Sequence, residues 1–265
     1  MSDALLLDRA RTQAADASRR AGIDIEPLGG PRDAQAASDL LSRVWHMPPG
    51  IDVMELSTLV ALAHSGNYVA IARSHTPDRV VIAASVGFFG PPGQPLHSHI
   101  TGVAGSAVGR GIGRALKLHQ RAWAIGRGVM EITWTFDPLV ARNAFFNIST
   151  MGARAVAYYP DHYGPMIDGL NAGQGSDRML MRWDLTADLP MRGANAAASS
   201  TRHTDQDVRH INIPLDIEAL RRTNPDQAIE WRTATRAAFT KLVGEGWRVT
   251  GIERPARYIL TKEHG

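Results

Sequence analysis

The sequence contains no cysteine. Disulfide frameworks, thiolate metal sites and thiol nucleophiles are therefore excluded together, and a reducing, cytoplasmic setting fits. A surplus of charge is also missing. Lys and Arg number 29 against 26 Asp and Glu, a formal net charge of +3. No dense basic block occurs, which argues against nucleic acid as a partner. Mild basicity suits a small anionic ligand, which needs only a local cluster. Apolar runs stop well short of the ~20 residues that span a bilayer. Leu5-Leu6-Leu7 is bracketed by Asp3, Asp8 and Arg9 and lacks a signal-peptide apolar run. The expectation is no membrane association, with a short helix or frayed arm over residues 1–20. No internal repeat is present. What is there, 265 residues that are 44% hydrophobic, can build one large domain or one domain plus a small addition.

Hydrophobic periodicity orders the chain. Residues 23–27 read as a strand that Pro27 ends, and Gly29-Gly30-Pro31 as a turn. Ala36, Leu40, Leu41 and Val44 recur at helical spacing across 32–45, and a second short helix covers about 54–63. Residues 68–73 and 80–89 are apolar and partly β-branched, separated by His75-Thr76-Pro77-Asp78, and read as a hairpin. Next come a strand over 97–103, a glycine-rich turn and a helix over 112–127. The strand at 130–136 ends at Asp137-Pro138, and a helix then runs through Ser149 to Gly152. Strands at 154–159 and 178–184 are joined by a long loop. Residues 190–204 are rich in Ala, Ser, Gly and Asn and read as a linker. A strand at 210–213, a helix at 225–243 and strands at 247–252 and 257–260 complete the chain. The expected division is a helical arm (1–20), a main domain (21–189), the linker and a small α/β extension (205–265). The extension is too small to trust as an independent domain, so it packs on the main body or on another subunit, as in a homodimer.

The turn Val108-Gly109-Arg110-Gly111-Ile112-Gly113 is the feature with chemistry in it. A strand, a glycine-rich turn and a helix together present free backbone N–H groups and the positive end of a helix dipole to an anion. Gly109, Gly111 and Gly113 permit close approach, and Arg110 and Arg114 add charge. A dinucleotide fingerprint would place its third glycine at Arg114, and no Gly-Lys-Ser/Thr occurs for a P-loop. A plain strand-to-helix turn is the alternative reading.

This turn resembles the coenzyme A loop of the GNAT acyltransferase superfamily, Q/R-x-x-G-x-G/A, with Gly111 and Gly113 on its glycines. The order of elements over residues 23–184 is similar to that family's as well. Trp134-Thr135-Phe136-Asp137-Pro138-Leu139, Arg142-Asn143-Ala144, Met151-Gly152-Ala153, Ile213-Pro214 and Trp231-Arg232 resemble a bacterial branch with a C-terminal extension. The resemblance implies an α/β (α+β) fold: a mixed, mostly antiparallel twisted sheet flanked by helices, with a small α/β extension. It implies acetyl-CoA or another acyl-CoA as cosubstrate, no metal, and transfer to a small-molecule amine or amino acid. Two positions depart from the family pattern. Val108 stands where Gln or Arg would donate to phosphate, and Ile148 stands where a tyrosine would protonate the leaving thiolate.

Direct attack of an amine on a thioester needs a base, because an alkyl ammonium with a pKa near ~10.4 is protonated at neutral pH. His99, on the strand before the loop, is one candidate, and His97 shares its face. The pair reads alternatively as a metal-binding His-x-His or as ordinary sheet histidines. Asp137 is the second candidate base. Its alternative role is as a helix N-cap with Pro138 as the first helical residue. The resemblance places the thioester-oxygen donor near Thr101 to Val103, Asn143 on the pantetheine arm, and Tyr163 and Asp168 at the acceptor. A succinyl group would need a second cation, from Arg142 or Arg178. A non-catalytic coenzyme A sensor or scaffold is the competing reading, which Val108 and Ile148 keep open.

Overall fold

A computed structural model describes residues 2–170, 175–190 and 208–262. Most of the linker expected at 190–204 thus lies outside the described residues. The chain divides into two compact units, Met1–Thr133 with Asp184–Thr186, and Trp134–Trp183 with Ala187–Gly265. The strand order of the larger sheet is β1 (Ile23–Pro27), β2 (Tyr68–Ser74), β3 (Val81–Phe89), β4 (Leu96–Val103), β5 (Glu131–Phe136), β7 (Arg178–Asp184) and β6 (Arg154–Tyr159). The ladders β1–β2, β2–β3, β3–β4 and β6–β7 are antiparallel, and β4 with β5 is parallel.

In the first unit, α1 (Asp3–Ala21) is a full helix of 19 residues, longer and better packed than the short or frayed arm expected. Its buried stripe is Leu6, Ala10, Ala14, Ala17 and Ala21. Alanines at this spacing carry little hydrophobic signal in a sequence, yet their small size lets helices approach closely. Gly22 ends α1 in the left-handed conformation at φ 65°, its N–H returning to the carbonyls of Ser18 and Arg19. The partner helix is α4 (Ile112–Ile125), and the two run antiparallel. Arg110, just before α4, bonds the Ala21 carbonyl, while Leu7 lies against Gly126 just beyond it.

The opposite face of the sheet carries α2 (Pro31–Val44) and α3 (Leu56–His64). Leu40, Leu41 and Leu59 pack there on Ile71, Val86 and Ile100. A Cβ on Gly102 would stand 2.9 Å from Leu41 Cδ2 and 3.0 Å from Trp45 Cζ3, so glycine is what lets α2 close on β4.

Strand β4 is irregular in two ways. Val86 pairs with Ile100 and Gly87 with Ser98, so His99 is the extra residue of a β-bulge. The parallel pairing with β5 is confined to Leu96↔Ile132 and His97↔Thr133. From Ser98 onward β4 keeps its ladder with β3.

In the second unit, β6 and β7 form an antiparallel pair. The helix expected through Ser149 is a short α5 (Ala141–Phe145) that widens into a π-helical turn, Phe146–Thr150. Ile148 is buried in that turn. A three-stranded sheet of order β8 (Val208–Asn212), β10 (Arg257–Lys262), β9 (Trp247–Glu253) carries α7 (Pro225–Gly244). Asn224 caps α7 by accepting from the Gln227 N–H, with Pro225 in the first turn. A further helix, α6 (Ile217–Thr223), capped by Asp216, is not among the elements expected from the sequence.

Candidate functional site

The glycine turn has the construction of an anion cradle. A single 3-10 turn, Gly105–Ala107, leads from β4, and buried Ala107 and Ile112 pin the two ends of the segment. Gly109 and Gly111 take φ of 86° and 83°. A side chain there would be strained, and a Cβ at Gly109, Gly111 or Gly113 would meet open space. The first intrahelical bond of α4 runs from the Ala115 N–H to the Gly111 carbonyl. Hence the main-chain N–H groups of Gly109, Arg110, Gly111, Ile112 and Gly113 have no backbone acceptor among the described residues. No side chain caps α4.

The flanking side chains lie differently from what the sequence suggests. Val108 is 65% exposed and contributes no donor. Arg110 turns away from the cradle. Its Nη2 donates to the Ala21 carbonyl at 3.0 Å, so it ties the turn to the end of α1. Arg114, in the first turn of α4, is half-buried. Thr101 shares a hydroxyl–hydroxyl bond of 2.8 Å with Ser85, and Val103 ends β4 half-buried.

On the bulge of β4, His99 is exposed at its edge and packs on Phe88, ring centroids 5.5 Å apart. Desolvation lowers its pKa below the ordinary imidazole value, so the ring is neutral, and able to take a proton, at pH 7. His97 lies 5.2 Å from the same Phe88 ring and 5.9 Å from His99. Among the described residues no group of three or more His, Cys, Asp or Glu is placed to hold a metal ion.

Within the second unit, Asp137 is neither the helix cap nor a free base. α5 starts at Ala141, with Val140 as its N-cap, and Asp137 Oδ1 accepts the Leu139 N–H, at 2.9 Å. Its Oδ2 is held by Arg221 and Arg232 at 2.6 Å each. Burial alone would raise this carboxyl's pKa. The charges of Arg232, Arg221 and Arg178 overcome that and hold it at about 2. A carboxylate so held is a poor proton acceptor at neutral pH, and it stands at the centre of an ion-pair cluster.

Asp168 is also buried, with Oδ1 accepting the Leu170 N–H at 3.0 Å. That bond braces its own turn. Tyr163 is half-exposed, with its hydroxyl 3.1 Å from Thr135 Oγ1. The loop carrying it is fixed at both ends: the Tyr163 N–H donates to Ser176 Oγ and the Asp161 N–H to Asp177 Oδ1. Asn143 stands half-buried in α5. The residues missed from sequence are Arg221 and Arg232, whose significance depends on Asp137 some ninety positions earlier, a separation no local pattern encodes.

No protein-family model matches the sequence, and no curated protein matches it. Solved structures do match. An acetyltransferase-assigned protein of Salmonella typhimurium, yncA, solved with its cofactor acetyl-CoA, aligns at TM-score 0.50 and 16% identity over 62% of this chain and 94% of that one. The ribosomal-protein-S18-alanine N-acetyltransferase of Escherichia coli aligns at 0.48 and 15% identity over 63% and 96%. A GNAT family acetyltransferase of Elizabethkingia anophelis with acetyl-CoA bound aligns at 0.43 and 16% over 62% and 98%. The first of these carries the assignment: the chain has a GNAT-like fold, with further residues beyond the shared region.

Proposed function

We propose that the protein is an acyl-CoA-dependent N-acyltransferase, with acetyl-CoA as the default donor and a small-molecule amine or amino acid as acceptor. The observation that carries this reading is the row of unsatisfied main-chain N–H groups from Gly109 to Gly113 at the start of α4. Diphosphate is the ligand such a row suits, and the GNAT-like fold supports reading the turn as a coenzyme A loop. Donation comes from the backbone, because Val108 has no donor and Arg110 is engaged with Ala21.

In this reading the acceptor nitrogen attacks the thioester carbonyl carbon directly. A proton passes from the amine to His99, whose neutral form dominates at pH 7. The carbon–sulfur bond breaks, and the thiolate leaves and takes its proton from solvent, since Ile148 has none to give. The thioester oxygen is assigned to a main-chain N–H of β4 near Thr101 to Val103, downstream of the bulge. Asn143 is assigned to the pantetheine arm and Tyr163 to the acceptor. Use of coenzyme A and the absence of cysteine both support a cytoplasmic location. Among the described residues no helix is long and apolar enough to cross a membrane.

A succinyl donor is the second reading. Arg142 is occupied by Glu218. Arg178 is buried, with Nη1 on the Asp177 carbonyl at 2.8 Å and its guanidinium 5.3 Å from the Tyr163 ring centroid, and it is the cation this reading assigns to a second carboxylate. The test is calorimetric titration with coenzyme A, acetyl-CoA and succinyl-CoA, then measurement of free thiol released in the presence of amine pools. Binding with turnover, and the donor preferred, decide between acetyl and succinyl transfer. Binding without turnover identifies a sensor, and no binding removes the whole reading.

A further inference from the structure

A second concavity lies along α1 and the C-terminal half of α4, away from the glycine turn. Its volume is about 570 Å³, within the range of small-molecule pockets. Every lining residue belongs to the first unit. Ala14, Ile23, Ile25 and Ala122 give it an apolar floor, and Trp123 forms part of the wall.

Its charges are of two kinds. At one end they cancel: Asp24 is paired with His75 at 3.0 Å and with Arg79 at 2.7 Å, and Arg19 with Asp16. At the other end they do not. Arg11 and Arg127 line the concavity, and neither has an ion-pair partner among the described residues. The Arg127 guanidinium carbon sits 3.8 Å from the Trp123 ring centroid. Its Nη1 donates to the Trp123 carbonyl at 3.4 Å, and a guanidinium stacked in this way keeps its other in-plane N–H groups for an acceptor such as a carboxylate. The antiparallel course of α1 and α4 brings Arg11 toward the end of α4 that precedes Arg127. Between the two ends, His119 uses Nδ1 on the Tyr68 hydroxyl at 3.0 Å, which leaves Nε2 as its remaining polar atom.

We propose that this concavity binds a small organic monoanion, its carboxylate on Arg11 and Arg127 and its apolar body over Ala14, Ile23 and Ala122. The site has two cations but no array of backbone N–H groups. It also sits by the carbonyl end of α4, whose partial negative charge disfavours a dianion such as a phosphate ester. A carboxylate with a hydrocarbon or aryl group matches both the charge and the floor. Such a site would exist whether or not the chain transfers acyl groups.

The experiment uses the full chain and three probes that differ only in the head group: phenylacetate, phenylacetamide and phenyl phosphate. Saturation-transfer NMR and titration calorimetry report binding. Phenylacetate should bind, and the neutral amide should bind at least about tenfold more weakly, a difference of ~1.4 kcal/mol. Arg11→Gln and Arg127→Gln should each weaken phenylacetate, and the double variant should abolish it. Both side chains are exposed, and an unchanged thermal melt shows the variants are folded. The proposal is overturned by phenylacetamide binding as well as phenylacetate, by tighter binding of phenyl phosphate, by undiminished binding in the double variant, or by no binding of any probe.

Discussion

Oδ2 of Asp137 accepts from Nη2 of Arg232 at 2.6 Å across 95 positions of sequence, and Arg221 donates to the same oxygen. All three side chains are almost wholly buried. This is the shortest contact Arg232 makes to a carboxylate: among the described residues its Nε and Nη1 have no hydrogen-bond partner, and Asp177 Oδ2 lies 3.9 Å from Nη1. Removing the carboxylate takes the nearest anion away from two buried cations. Asp137→Asn should therefore cost about 3–5 kcal/mol of stability, measured by denaturant unfolding. The carboxyl is held at about 2 when folded against roughly 3.9 when unfolded. Its contribution is thus complete above the unfolded value and lost as pH falls toward the folded one. The wild-type melting temperature should drop between about pH 4 and pH 2, and the drop should be smaller in the variant.

Lys117 titrates with the same sign for a different reason. It is buried on α4, with Nζ donating to Ser98 Oγ at 2.8 Å, and desolvation pulls its pKa down to about 7. The unfolded chain binds this proton more tightly, so stability should rise as pH increases from about 7 to about 10. Lys117→Met, which keeps the length and discards the charge, should flatten that rise. A melting curve against pH for both proteins checks it, and equal slopes would exclude Lys117 as the source.

Gly113 separates folding from binding. Its Cβ position is open and its φ is not in the left-handed region, so Gly113→Ala is compatible with α4 and should gain up to about 1 kcal/mol of helix stability. On the proposed function the methyl group would nevertheless stand in the path of a diphosphate approaching the main chain. Coenzyme A affinity should fall by at least about tenfold while the melting temperature holds or rises. A parallel fall in both would mean the position serves only the fold.

His99 is tested by its pH profile. His99→Gln should lower kcat by about a hundredfold with little change in the KM for the acyl donor. In the wild type, activity should fall on the acid side as the ring gains a proton. Because its pKa lies below the usual imidazole value, that limb should sit at lower pH than an unperturbed histidine would give. The variant should lose the limb, and a limb that survives assigns the base elsewhere.

The strands at 23–27, 154–159 and 178–184 are legible to the residue, because each alternates or runs apolar between strong breakers. The glycine turn is legible too, since glycine at 109 and 111 has a local conformational cause. Helix α1 is harder to see, because alanines bury area without standing out as hydrophobic. The π-helical widening at Phe146–Thr150 has no compositional marker. The bulge at His99 depends on register against β3 rather than on the residues of β4 themselves. Capping rules look three residues ahead of Asp137, whereas its partners come from α6 and α7. Sequence neighbourhood assigns Arg110 to the cradle, and α1, about ninety residues earlier in the chain, claims it instead.

That hold on Arg110 makes α1 a strut. Two left-handed glycines give the turn before α4 its shape, and the tie to the Ala21 carbonyl anchors it from one side. A chain shortened ahead of β1 would keep every strand of the sheet and still lose this fastening of the glycine turn. The opening helix, which reads in the sequence as a short or frayed arm, is mechanically joined to that turn through a single side chain.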